Sequence, residues 1–416
     1  MVFDKNYLLN ILSIQIKDAW ERADTAPVLL PYMGGEEKQE NEKRITGSVE
    51  RFKIQAGKFP HPIAPAAFFG RRKRWKQDTE QMLHDILWKD PLLGMEGAVA
   101  DDTLEAFKEQ TKAFLRRVRR FDARMDIGDI GQALRNYMVY AIFLELNELP
   151  QKCTPAIFGY SMLYPYTDNY IDDPQRSGEE KKHYNQLIAD KIRGHRYEAA
   201  SVYEENTARL LAAVEESYER PDDIFEGLRL MLEAQRDSQK QSNKEYLLTE
   251  EEILDISVFK GGLSVLIDRY FIDKPLSKED LYFYYGFGFL LQLCDDLQDI
   301  SQDKKNGSRT LFSICGSAGE TEKKISRLLS YTHRLFEDYQ CENVKFKQFL
   351  LRNSYLLILF SAAGSREHIT EEYLLWIEKE LPVSIGFYDA FKKSFSSGAW
   401  EKEAGKYRKM LDVLLH

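Results

Sequence analysis

The chain has 416 residues, with 67 acidic side chains against 58 basic ones and a net charge of −9, a balance that argues against nucleic acid as a main partner. No stretch approaches the roughly 18 consecutive apolar residues of a membrane span, and the charges scattered through residues 1–25 do not fit a signal peptide. The four cysteines, Cys153, Cys294, Cys315 and Cys341, lie far apart, so neither a zinc site nor a disulfide framework is implied and a reduced, cytoplasmic protein is expected.

Only 13 prolines and 24 glycines occur, and Leu, Glu, Lys, Ala and Arg dominate the long segments between them, which predicts an all-α chain. After an N-terminal helix, the stretch from about Pro27 to Pro65 (GGEEKQENEKR, then PHPIAPAAF) reads as a polar loop and an extended connector. Residues 1–100 are therefore expected to precede a helical catalytic domain spanning 101–416. Helical periodicity follows over 103–125 and 132–148.

The next helix is predicted from Pro155 to Asp173. Thr154 caps it, proline occupies its first position, Pro165 is expected to kink it and Pro174 ends it. Capping boxes at Thr249–Glu252 and Ser277–Asp280 start two more, over about 250–271 and 278–305, the latter ending at Asn306-Gly307. Further helices are predicted over about 320–338, 344–362 and 370–395.

Two acidic clusters stand at helix ends. In DNYIDD, Asp168 and Asp172 are four apart and share a face, with Asp173 alongside; in DDLQDISQD, Asp295, Asp299 and Asp303 repeat every four residues, with Asp296 beside the first. Like charges at that spacing destabilise a helix by roughly 0.2–0.5 kcal/mol per pair, and the negative end of the helix dipole adds to the cost. A solvated acidic face explains many such runs. Divalent cations explain these better, because each cluster follows a strongly apolar stretch, and hard carboxylate oxygens are what Mg²⁺ takes, usually with substrate phosphates.

Basic residues follow the second cluster: in DKKNGSRTLF, Lys304, Lys305 and Arg309 can meet phosphate oxygens or simply complement a helix C-terminus. Lys260-Gly261-Gly262 falls inside a predicted helix, where two glycines cost on the order of 2 kcal/mol relative to alanines. Either a neighbouring helix packs closely there or the helix breaks to present Lys260 to a ligand. The run Arg116-Arg117-Val118-Arg119-Arg120 reads as a solvated face, and the histidines, with no ligand spacing and no Ser or Cys partner motif, as structural or exposed. Phe287 and Leu291 lie two turns and one turn before Asp295 on its face, with Gly288 close by, so these three are expected to line an apolar cavity below the acidic cluster.

Paired Asp-rich motifs on helices, DNYIDD and DDLQDISQD, with the basic tail KKNGSRTLF, resemble those of the trans-isoprenoid synthases over about residues 105–395. The resemblance implies an isoprenoid-synthase-type helical bundle around a central apolar cavity. It also implies Asp168, Asp172, Asp295, Asp296 and Asp299 as metal ligands, with Asp173 and Asp303 as further members. Lys260, Lys304, Lys305 and Arg309 would contact diphosphate, and three Mg²⁺ ions would bind with it. DNYIDD departs from the DDxxD of chain-elongating synthases, no counterpart of their Gly-Lys-Arg site is present, and the second motif is not the DYxED of squalene and phytoene synthases. The combination is most similar to the bacterial large (class IB) terpene synthases.

The expected activity is thus Mg²⁺-dependent ionisation of an allylic isoprenoid diphosphate of C15–C25 length, giving a linear or cyclic terpene and diphosphate. No membrane span is expected, and a homodimer is compatible with the family. The alternatives are a prenyltransferase that joins isoprenoid units, of polyprenyl or squalene/phytoene synthase type, and a non-catalytic helical scaffold.

Overall fold

The computed structural model describes residues 3–26, 35–59, 65–88, 94–173, 175–195, 198–218, 222–242, 247–396 and 409–414. It is all-α, and among the described residues the one extended pairing is an isolated bridge between Glu96 and Val99. The chain begins with α1 (Lys5–Tyr7), which runs through a π-helical turn (Leu8–Leu12) into α2 (Ser13–Glu21). Then come α3 (Gly35–Gly57), α4 (Pro65–Trp88), α5 (Asp101–Phe121), α6 (Ile127–Leu146), α7 (Pro155–Asp172), α8 (Gly178–Ile192), α9 (Val202–Glu215) and α10 (Asp222–Ser238). A short 3₁₀ turn (Gln239–Ser242) leads to α11 (Glu250–Tyr270), α12 (Lys278–Gln298), α13 (Ile300–Asn306), α14 (Ala318–Asp338) and α15 (Val344–Gly364). A second 3₁₀ turn (Arg366–His368), α16 (Glu371–Glu380) and α17 (Ile385–Ser396) follow.

The caps fall where the sequence puts them. Thr154 accepts from the Ile157 N–H, and both capping boxes, Thr249 with Glu252 and Ser277 with Asp280, are complete. Elsewhere the elements differ from expectation. GGEEKQENEKR is not a polar loop: from Gly35 onward it forms the start of α3, and the second half of PHPIAPAAF begins α4, while residues 27–34 and 60–64 lie outside the described residues. A Glu/Lys-rich segment has good intrinsic helix propensity, and here Asn41 and Lys38 anchor it to the carbonyls of Pro382 and Glu378. The helix predicted over 278–305 breaks at Asp299 (φ −100°, ψ 12°), and that over 370–395 divides into α16 and α17 with Pro382 between them.

α11 and α12 form the centre of the bundle and are buried over most of their length. They pack antiparallel and close. A Cβ added to Gly288 would lie 2.1 Å from the Gly261 carbonyl oxygen, and one added to Gly262 would lie 2.5 Å from the Tyr285 ring. α11 runs unbroken through Lys260-Gly261-Gly262, so close helix packing, not a helix break, is what these glycines serve. The connection is fixed by Arg269, which is fully buried and donates to the carbonyls of Lys274 (3.1 Å) and Pro275 (3.2 Å).

The N-terminal helical segment belongs to this core. Ser13 Oγ meets Tyr285 Oη at 3.0 Å, Trp20 packs edge-on against Phe289, and Phe3, Leu8, Leu12 and Ile16 are fully buried. A separate small cluster joins Ala56 of α3 and Trp75 of α4 to Met410 and Val413 near the C-terminus.

Gly288 therefore faces α11 and not a cavity. Gly288→Ala should overpack the α11–α12 contact and destabilise the protein by about 1–3 kcal/mol. Chemical denaturation of the variant measures this, and an unchanged midpoint would show that the two helices can separate at no cost.

Candidate functional site

Five helices converge on one acidic recess. α7 contributes Tyr164 and Asp168, α12 contributes Asp295 and Asp296 in its last turn with Asp299 as its C-cap, α11 contributes Lys260, α6 contributes Arg135 and α10 contributes Gln235. Gln235 Nε2 donates to Asp168 Oδ1 at 3.3 Å. The two acidic motifs meet at Tyr164. Burial and then the negative charges of Asp168 and Asp295 push its hydroxyl pKa up, against the positive charge of Arg135.

Tyr164 is 42% exposed, and Asp295 is also exposed, yet desolvation is the first cause of the raised pKa at both. Water reaches both groups, while the protein atoms around them still disfavour their charged forms. At Asp295 the positive charges of Arg135 and Lys260 oppose the shift, while Asp299 adds to it. Arg135 and Lys260 make no hydrogen bond and no ion pair with any described residue, so both cations lie beside the carboxylates with their donors unspent.

Asp296 is the buried member, 4% exposed. Its Oδ1 accepts from Gln292 Nε2 at 2.9 Å and its Oδ2 has no partner. An unpartnered buried carboxylate oxygen is costly unless it is protonated or meets a ligand. Burial pushes this carboxyl up to about 7, with the Gln292 hydrogen bond opposing and the Asp303 charge reinforcing the shift.

Several residues singled out in the sequence are used differently. Asp173 caps α7 and lies 3.5 Å from Arg176, while its carboxylate also accepts from the Gln175 N–H, so it closes a local turn and is not a free ligand. Asp303 accepts from Thr310 Oγ1 at 3.0 Å and ties α13 to the loop beyond it. The side chain of Asp172 lies outside the described residues. Lys304 reaches the Cys315 carbonyl (3.4 Å) and His368 Nδ1 (3.5 Å). Arg309 donates to the Leu248 carbonyl at 3.1 Å and exchanges backbone and side-chain hydrogen bonds with Gln241, which ties two loops together, while its buried Nε has no hydrogen-bond partner. Lys305 is exposed in the last turn of α13. Phe287 is buried among Phe143, Phe283 and Phe336, and Leu291 is half-buried one turn nearer the recess.

Folding also supplies residues that the sequence pattern did not point to. Arg135 sits in an unremarkable helical stretch, and only the α6–α12 neighbourhood gives it a role. His368 meets Ser301 Oγ at 2.8 Å through Nε2. Its Nδ1 faces the Lys304 ammonium, which can only donate, so Nδ1 must accept and Nε2 carries the proton toward Ser301. Ser301 in turn donates to Glu367. That direction of hydrogen bonding is the reverse of what a Ser–His nucleophile requires.

Among the described residues, no three His, Cys, Asp or Glu side chains come together as a ready-made cation cage. The donor set of the recess is nonetheless hard oxygen, with one oxygen of Asp296 left unpaired, and Mg²⁺ commonly takes only one or two carboxylates while keeping its other positions for water and phosphate. No family model matches this chain, and no curated protein or solved structure matches it either.

The buried Asp296 generates a pH-dependent prediction for metal-free protein. Its folded pKa lies above its unfolded one, so the folded state holds the extra proton and stability falls as pH rises from about 4 to about 7. Asp296→Asn should remove this loss, raising the melting temperature in EDTA at pH 8 and changing it little at pH 4. Equal effects at both pH values would count against a carboxyl that is neutral in the fold.

Proposed function

We propose that this chain is a terpene synthase of the trans-isoprenoid kind, ionising an allylic isoprenoid diphosphate in the recess between α7 and α12. The observation that supports the reading is the meeting of Asp168 and Asp295 at Tyr164, with the unpaired cations Arg135 and Lys260 beside them. Asp295 held near Arg135 and Lys260 without contact to either leaves room for a ligand that is itself of both signs, a metal diphosphate.

In this reading Asp168, Asp295, Asp296 and Asp299 hold Mg²⁺, with Asp172 placed by its backbone at the same end of α7. Bound Mg²⁺ would neutralise the charge that develops on the departing diphosphate. Lys260 and Arg135 orient the diphosphate and take up part of its negative charge as the allylic C–O bond lengthens. The hydrocarbon points away from the acids, past Leu291 toward the aromatic group of Phe143, Phe283, Phe287 and Phe336, whose ring faces favour a carbocation and whose packing excludes water. A cytoplasmic location accords with four free cysteines, each of whose thiol pKa is raised by burial.

Incubation with C10, C15, C20 and C25 allylic diphosphates plus Mg²⁺, followed by identification of the hydrocarbons and of released diphosphate, tests the reaction. One diphosphate consumed without a co-substrate is the expected result; a requirement for a second isoprenoid unit would replace it with prenyl transfer. Asp168→Ala and Asp295→Ala should each lower turnover by about 10²-fold or more while the protein stays folded, because each removes a like charge from a crowded place. Lys260→Gln should weaken diphosphate binding and leave the product pattern unchanged. Near wild-type turnover in either aspartate variant would remove that carboxylate from the site.

A further inference from the structure

A concavity lined by arginines lies at the far end of α7 from the acidic residues. Its walls are Ala113, Arg116, Arg117 and Arg120 of α5 together with Cys153, just before the α7 N-terminus, and its volume is about 490 Å³. Cys153 precedes Asp168 by 15 positions. At 1.5 Å per helical residue this places the pocket roughly 20 Å along the helix from the acidic recess, too far for one small ligand to span both.

Three guanidinium groups are concentrated here, and two of them, Arg117 and Arg120, are not neutralised by any described residue. Arg116 and Arg120 are four apart on one face, an arrangement of like charges that costs a helix roughly 0.2–0.5 kcal/mol. The Arg117 guanidinium lies over the Phe158 ring, 4.4 Å from its centroid, a contact that leaves its N–H donors unused. Neither Arg117 nor Arg120 forms an ion pair or a hydrogen bond with any described residue. Their neighbour Arg119 behaves differently, meeting Asp412 at 3.2 Å and the Met125 carbonyl at 3.0 Å. Arg116 differs from Arg117 and Arg120, since its charge acts on Glu109, which Lys112 also holds at 2.9 Å. In a chain with nine more acidic than basic side chains, a recess that gathers three arginines and leaves two unpaired is informative.

We infer that this pocket binds the phosphate or diphosphate group of a small molecule, free or esterified. Fork-shaped guanidinium groups match phosphate oxygens two at a time, the amino-terminal end of the 18-residue α7 adds positive potential, and Ala113 and Cys153 offer an apolar wall to an organic portion. Given its distance from the acidic recess, the pocket acts as a separate holding or effector site and not as a co-substrate position. The inference does not depend on the reaction proposed for the other site.

Calorimetric titration of the full chain with inorganic phosphate, inorganic diphosphate and dimethylallyl diphosphate, all in EDTA at low salt, tests this. Saturable binding should weaken at least tenfold in the double variant Arg117→Gln/Arg120→Gln and also in Ala113→Trp, which fills the pocket without altering its charge. It should persist in Arg119→Gln. Tighter binding of the organic diphosphate than of inorganic diphosphate identifies an ester as the occupant, and equal binding identifies the free anion. If the double variant loses its thermal transition, Ala113→Trp decides. Absence of saturable binding by any probe, or binding unchanged in the folded pocket variants, overturns the assignment.

Discussion

The rest of the molecule is arranged around one close contact, the backbone-to-backbone approach of α11 and α12 at Gly261, Gly262 and Gly288. No side chain fits between Gly288 and the Gly261 carbonyl, and the Tyr285 ring takes the space that a Cβ on Gly262 would need. The spacing has electrostatic consequences. Lys260 precedes Gly261 and is thereby delivered to Asp295 and Asp296, while a Cβ on Gly261 would also strike Gln292, whose amide holds Asp296. Glycines that weaken two helices locally thus set the register in which a cation and two carboxylates face one another.

Pairing elsewhere in the chain makes the recess distinctive. Where acids and bases serve only the fold they touch, as Arg229 does with Glu226 and Glu233, and as Lys112 does with Glu80 and Glu109. At Asp295 they do not. Asp295 feels Arg135 and Lys260 without a bond to either, and burial keeps its carboxyl pKa raised. A purely structural arrangement could lower this cost by closing one ion pair. Keeping the groups apart is reasonable where an anionic ligand and its cations are to be taken up between them.

Much of the fold was legible because its signals are local. Thr154 before Pro155, the two capping boxes and the Asn306-Gly307 stop depend on a few adjacent residues, and each is where the sequence puts it. The breaks at Asp299 and Pro382 and the helix of α3 were not, since charge composition alone does not separate a solvated loop from a helix anchored by distant carbonyls. The same limit applies to the site. Asp168, Asp295, Asp296 and Lys260 were legible because they flank conspicuous patterns, whereas Lys304 and Arg309 have long side chains that folding turns toward Cys315 and Leu248. Arg135 was invisible for the converse reason: nothing in its own stretch marks it, and its role comes from helices 25 residues and more away.

A buried polar network explains how Arg135 is held in that position. Asn136, next to it in α6, donates to Asp268 of α11 at 3.1 Å and to Ser161 of α7 at 3.2 Å. Asp268 is buried, desolvation raises its pKa well above the usual carboxylate range, and the Asn136 hydrogen bond opposes that shift. α11 is therefore fixed on two sides, by backbone contact with α12 and by this hydrogen-bonded junction with α6 and α7. Lys260, Arg135, Asp168 and Asp295 project from those four helices. Because a rigid-body shift of α11 would have to break both attachments, the charges around the recess keep their separation.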